Sequence, residues 1–306
     1  MKSLTTMILL ASLTGASLSV QAADACSPVR MADPGWSDIA ATNALAGLVL
    51  ETMGYSAKVD SLAVPIIYGG LRDGQVDVFL GNWMPAQKGF DDQFIATGKV
   101  TRLAKNLEGT EFTLAVPDYV YAAGVHDFKD LNRFAEKFDR KVYGIGSGAP
   151  ANQSIQDMIK KNDFDLGQWK LVESSEQAML AEVDRAVKKQ RFITFLGWTP
   201  HPMNVKLKMH YLTGGEAYFG DSGSVYTVTR NGYAQACPEV ARFLSQMRFT
   251  LDMENAVMAE VVDKKISNGE AARAWLKAHP EVLEAWLKGV KTADGKEALP
   301  VVTKGL

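Results

Sequence analysis

Two widely separated stretches share one unusual order of residues: VFLGNWMP at residues 78–85 and TFLGWTP at residues 194–200. In each, a short apolar run meets a glycine, and a tryptophan and a proline follow at once. A third tryptophan, Trp36, follows the Pro34-Gly35 turn that closes the apolar run at residues 29–32. Glycine and proline punctuate secondary structure, so each stretch reads as a strand leaving a sheet and presenting an indole in the loop just past its end. Ligands of open α/β sheets sit at the carboxyl ends of strands. Three indoles at the same post-strand position therefore suggest an aromatic box, because burial in a core explains no shared position. The guest of such a box would be a cation without donors of its own, since π-faces attract quaternary ammonium.

The rest of the chain alternates strand with helix, which predicts a parallel sheet with covered faces. Residues 29–32, 58–64 and 76–80 read as strands. Ser37 can cap a helix that stops at Gly54, and Pro65 opens another. A second series has strands at residues 112–116, 141–145, 170–173 and 192–196. Its helices run from about Asn152 to Lys161 and from Ser174, where Gln177 completes a capping box. Residues 224–229 return as a strand before a helical tail from Pro238. Two crossings follow from this order: a first lobe of residues 24–109 plus 211–306, a second lobe of residues 110–210, and a cleft between them. Trp169, Trp275 and Trp286 sit in periodic or edge positions and read as core.

The 306 residues allow one large or two ordinary domains, and the net charge of −2 with no basic run argues against a nucleic-acid partner. Residues 1–22 read as a secretory signal peptide: Met1 and Lys2, an apolar stretch from Met7, and a small-residue cleavage point at Val20-Gln21-Ala22. Export to the periplasm as a soluble protein follows. Acylation of Cys26 is the alternative, for which Ala23-Asp24-Ala25 is a poor lead-in. Cys26 and Cys237 are the two cysteines, and an oxidising compartment makes one disulfide their natural reading, with buried free thiols as the alternative.

The segments ADPGWSD, VFLGNWMP, EGTEFTLAVP, YGIGSGAPAN, VESSEQAMLAEV and FLGWTPHPMN, in this order, resemble the periplasmic choline-binding proteins of bacterial ABC importers, grouped with the glycine betaine and carnitine binders. The resemblance covers essentially the whole mature chain. It implies an α/β fold of the two-lobed periplasmic binding protein type (type II, Venus-flytrap). Such a protein closes over a quaternary amine and delivers it to a membrane permease, as a monomer and without a cofactor. The family's cage falls on Trp36, Trp83 and Trp198, with its usual tyrosine replaced by Phe112. Asp38 matches the aspartate that faces the ligand, and the family's loop asparagine falls on Ala149, with Asn152 close by.

Other features are weaker. The loop GIGSGAPAN, carrying Ser147, precedes a helix, so its N–H groups could receive a carboxylate; a close interlobe turn explains it equally. Ser147 is in no G-x-S-x-G elbow. His201, beside Trp198, could orient its loop or donate to a carboxylate, and a satisfied structural histidine is the simpler reading. Asp73, Asp77, Glu108 and Glu111 read as solvated or turn residues. No metal site is expected, because the cysteines lack histidine partners at ligand spacing. A choline-ester hydrolase would need a positioned nucleophile near the box, and none is evident.

Overall fold

The computed structural model describes residues 26–306, so the expected signal peptide lies outside the described residues. Nine strands form one curled sheet in the order β2-β1-β3-β9-β4-β7-β5-β6, with β8 beside β4. In the first half, β1 (Val29–Asp33) lies parallel to β2 (Ala57–Ser61) and β3 (Val78–Met84), and β9 (Gly223–Arg230) runs antiparallel to β3. In the second half, β5 (Lys141–Tyr143) is parallel to β6 (Lys170–Val172) and β7 (Phe195–Thr199). Each half thus has the expected parallel core, but the sheet is mixed.

The antiparallel strands are where the halves join. β4 (Val100–Pro117) pairs with β9 from Val100 to Thr110, then with β7 from Glu111 onward, and with β8 (Met209–Tyr211) at its end. Only residues 112–116 of this strand were expected. Its first part shifts register against β9 three times, and each irregularity breaks the alternation by which a strand is recognised in sequence. Residues 213–219 stay with the second half: Thr213 N donates to His126 O at 3.1 Å, and Phe219 packs edge-on against Phe112.

Helix α1 (Ser37–Thr52) is buried along most of its length between the sheet and the C-terminal helices α6 (Leu251–Lys264) and α7 (Asn268–Ala278). An apolar composition on most sides suits that position. Helix α2 (Val64–Arg72) carries Pro65 in its first turn, as expected. Pro150 likewise opens α3 (Pro150–Lys161). In α4 (Glu176–Lys188) the N-cap is Ser175, whose hydroxyl accepts from Ala178 N, so the expected Ser174–Gln177 box does not form. Cys26 and Cys237 are joined in a disulfide with Cα atoms 5.6 Å apart. It ties the chain ahead of β1 to the start of α5 (Pro238–Gln246). Among the described residues, no helix is long and apolar enough to cross a membrane.

Asp77, expected to be a solvated or turn residue, is buried and receives Arg30 and Arg230 on the same carboxylate, each with a contact of 2.7 Å. Two guanidiniums compensate its desolvation and hold its pKa below the usual carboxylate range. Trp169 and Trp286 are core residues, while Trp275 is partly buried against His279.

Candidate functional site

A cavity between the two halves gathers side chains from five segments. Trp36, Asp38, Trp83, Ala86 and Gln87 line it from the first half; Phe112, Ile145, Ala149, Pro150, Ala151, Leu196 and Trp198 line it from the second. Among these residues Asp38 is the one ionisable group.

The three indoles reach the cavity by different routes. Trp36 is the N-cap residue of α1, placed there by a turn in which Asp33 Oδ1 accepts from Gly35 N and Trp36 N. This is the expected post-strand position. Trp83 and Trp198 instead lie within β3 and β7, so their glycines do not end strands. A Cβ on Gly81 would come within 2.7 Å of the Phe79 ring and 2.8 Å of Ile39 Cδ1. One on Gly197 would come within 2.8 Å of the Tyr211 ring and 3.0 Å of Ala115 Cβ. Both glycines are there for close packing, and the strand continues through each to aim the following indole. Phe112 is the cross-strand partner of Trp198 and meets the Trp83 ring edge-on, with centroids 6.4 Å apart.

Asp38 is 2% exposed. Its Oδ2 accepts from Trp83 Nε1 at 3.0 Å, while its Oδ1 is buried without a protein partner. Burial first, and then the nearby charge of Glu176, push its pKa up to about 8. An under-compensated buried carboxylate is stabilised by a cation placed beside it. Ala149, Pro150 and Ala151 bring the start of α3, the positive end of that helix, to the cavity wall.

Trp36, Asp38, Trp83, Phe112, Ala149 and Trp198 thus meet in one cavity. Ser147 and Asn152 do not; they face a separate groove lined also by Pro65, Phe90 and Gln93. The polar atoms of Asn152 are engaged: Oδ1 accepts from Ile145 N, and Nδ2 donates to Ile145 O and Glu173 Oε1. This asparagine clamps the glycine-rich loop. His201 donates from Nε2 to Glu176 at 3.1 Å and accepts at Nδ1 from Met203 N; it is a satisfied histidine that orients a carboxylate. Gln87, Ile145 and Leu196 were not anticipated. Gln87 accepts from Tyr68 Oη and donates to Gly81 O, and nothing local in the sequence marks it.

Residues 27–278 match the family described as the substrate binding domain of the ABC-type glycine betaine transport system. The chain belongs to this family. Its members bind solutes for a transporter, so the protein is a substrate-binding component and not an enzyme. A solved ABC-transporter choline-binding protein in complex with choline superposes with a TM-score of 0.90 at 42% identity, covering 92% of this chain and 98% of that one. The unliganded, semi-closed form of such a protein gives 0.84 at the same identity, over 91% and 98%. A glycine betaine/carnitine transport binding protein of Listeria monocytogenes is 32% identical over 169 residues, 55% of each chain. The family places the two-lobed fold and the substrate-binding role expected above on firm ground.

Proposed function

We propose that this protein captures choline in the periplasm and delivers it to the permease of an ABC importer. The observation that carries this reading is the cavity's chemistry: aromatic side chains from both halves, with a single, acidic, ionisable group. A trimethylammonium head has no donors for hydrogen bonding, so it gains from π-faces and a carboxylate together, at about 2 kcal/mol per desolvated ring. Several rings plus one carboxylate are enough for a micromolar site, which needs about 8 kcal/mol net.

Choline is preferred over glycine betaine because a bound cation stabilises the ionised form of Asp38, and ionised Asp38 would repel a ligand carboxylate. The halves act as lobes that close over the guest, parting where β4 changes partners after Thr110 and where the chain returns to β9. Closure removes water from the cation, so ligand shifts the population toward the closed form, which the permease would recognise. A second reading, with L-carnitine or glycine betaine as the main ligand, is favoured by the start of α3 at the cavity wall, where a carboxylate tail would find a helix N-terminus.

Calorimetric titration of the mature protein with choline, L-carnitine and glycine betaine separates these. Choline is expected to bind tightest. A carboxylate-bearing ligand binding tighter would favour the second reading, and no heat from any of the three would overturn both.

A further inference from the structure

The first turn of α1 presents Trp36 and Asp38 to the cavity, yet this helix has no cap of its own, because Trp36 offers no side-chain acceptor. An uncapped helix start leaves N–H groups without partners. The missing acceptor comes from the other half. Glu176, the first residue of α4, accepts from Ser37 N at 3.0 Å through Oε2 and from Ser37 Oγ through Oε1. The serine expected to cap its own helix thus gives its hydroxyl to a residue across the cleft. Glu176 is itself 2% exposed, and its Oε1 also receives His201 Nε2. The His201 ring packs against the Trp198 ring with centroids 4.8 Å apart. One carboxylate thereby connects the segment Trp36-Ser37-Asp38 with the segment that carries Trp198.

We propose that Glu176 is the latch of the closed state, a positioning residue that caps α1 from across the cleft and so slows ligand release. The proposal rests on the reading that this cavity binds a quaternary amine between two closing halves. Its bonds to Ser37 span the halves, so they form when the cleft shuts and must break before it opens. The latch also discriminates by charge. Closure brings Glu176 near Asp38, and the charge of Glu176 disfavours that of Asp38. A cation in the cavity offsets that repulsion, so the latch engages over a cationic guest at less cost than over an empty or anionic one.

The test measures choline dissociation and association by stopped-flow tryptophan fluorescence in the wild type and in E176A, S37A and the double variant. Hydrogen bonds to a charged group predict a dissociation rate about 10- to 100-fold faster in E176A, with association changed less than about threefold. S37A, which removes only the hydroxyl, should give a smaller increase, and the double variant should release choline no faster than E176A alone. Unchanged dissociation in E176A and S37A overturns the latch.

A second readout does not need ligand. Spin labels at D73C on one half and K189C on the other report the separation of the halves; among the described residues no cysteine is free to compete for label. Unliganded E176A should shift toward longer separations than the wild type. Identical distributions in E176A, S37A and wild type, with and without choline, overturn the latch. A wild type that responds to none of the three amines sinks the proposed ligand class instead, and the unliganded comparison still decides the latch.

Discussion

Asp38 accepts the indole N–H of Trp83 at 3.0 Å, so the one ionisable group lining the cavity also fixes the attitude of one of its rings. Charge and ring orientation are therefore separable by substitution. D38N keeps an acceptor for Trp83 Nε1 and loses the charge, whereas D38A loses both. Choline affinity should fall about tenfold in D38N and further in D38A, by analogy with the ~1.4 kcal/mol that separates decades of affinity. The advantage of choline over glycine betaine should narrow in both. Calorimetry on the three proteins checks this, and an unchanged ligand ranking in D38N would show that Asp38 does not set tail selectivity.

The affinity for choline should depend on pH. Burial and the charge of Glu176 hold the Asp38 pKa at about 8 in the unliganded protein, and a bound cation lowers it. Binding therefore releases a proton below pH 8, so affinity should rise between pH 6 and 8 and level off above. The binding heat should vary with the ionisation enthalpy of the buffer, and D38N should abolish both effects.

The same group makes a prediction for stability. Its folded pKa lies above the ordinary carboxylate value, so its contribution is fully present below pH 4 and is lost as pH rises toward 8. Glu254, also pushed up by burial and by Asp38, acts in the same sense. The unliganded protein should melt progressively lower across that window. D38N should raise its melting temperature at pH 8 by at least about 3 °C, which corresponds to roughly 1 kcal/mol. A melting temperature that rises over the same window would contradict this assignment.

Gly197 tests the packing explanation for the two FLG segments. G197A forces a Cβ against Tyr211 and Ala115, which should cost about 1–3 kcal/mol of stability and displace Trp198, weakening choline binding. If Gly197 were only a strand terminator, alanine would be tolerated, and denaturant melts of G197A distinguish the two.

The FLG segments also mark how far sequence reading reaches. Trp83 and Trp198 do line one cavity, but within strands and not past their ends, because a glycine that permits close packing and one that ends a strand look alike. The disulfide was legible from cysteine number and the inferred export. Asn152 was not, since an asparagine that clamps a loop has the same local sequence as one that meets a ligand. The Ser37–Glu176 bond joins positions 139 apart, and no periodicity or spacing signals a partner at that range. The register shifts of β4 hid the part of that strand ahead of Phe112 for a local reason, the loss of alternation.

Removing the disulfide should destabilise the protein without abolishing the cavity, which lies elsewhere. C26S/C237S releases a cross-link spanning 211 positions, for which about 2–4 kcal/mol is expected. The melting temperature should fall by about 4–12 °C, with choline affinity at 25 °C within about threefold of wild type. Affinity lost in parallel with stability would place the cross-link in the binding mechanism.

β4 changes partners between Thr110 and Glu111, and Phe112 comes directly afterwards. A ring so near a pivot has almost no lever arm, so parting the halves moves it little against Trp83, which it already touches edge-on. On the proposed closure, the Trp83–Phe112 corner would stand in the unliganded protein too, preorganised when the chain folds. An arriving ammonium group would find two walls already built, and only the remaining ones would have to be brought to it.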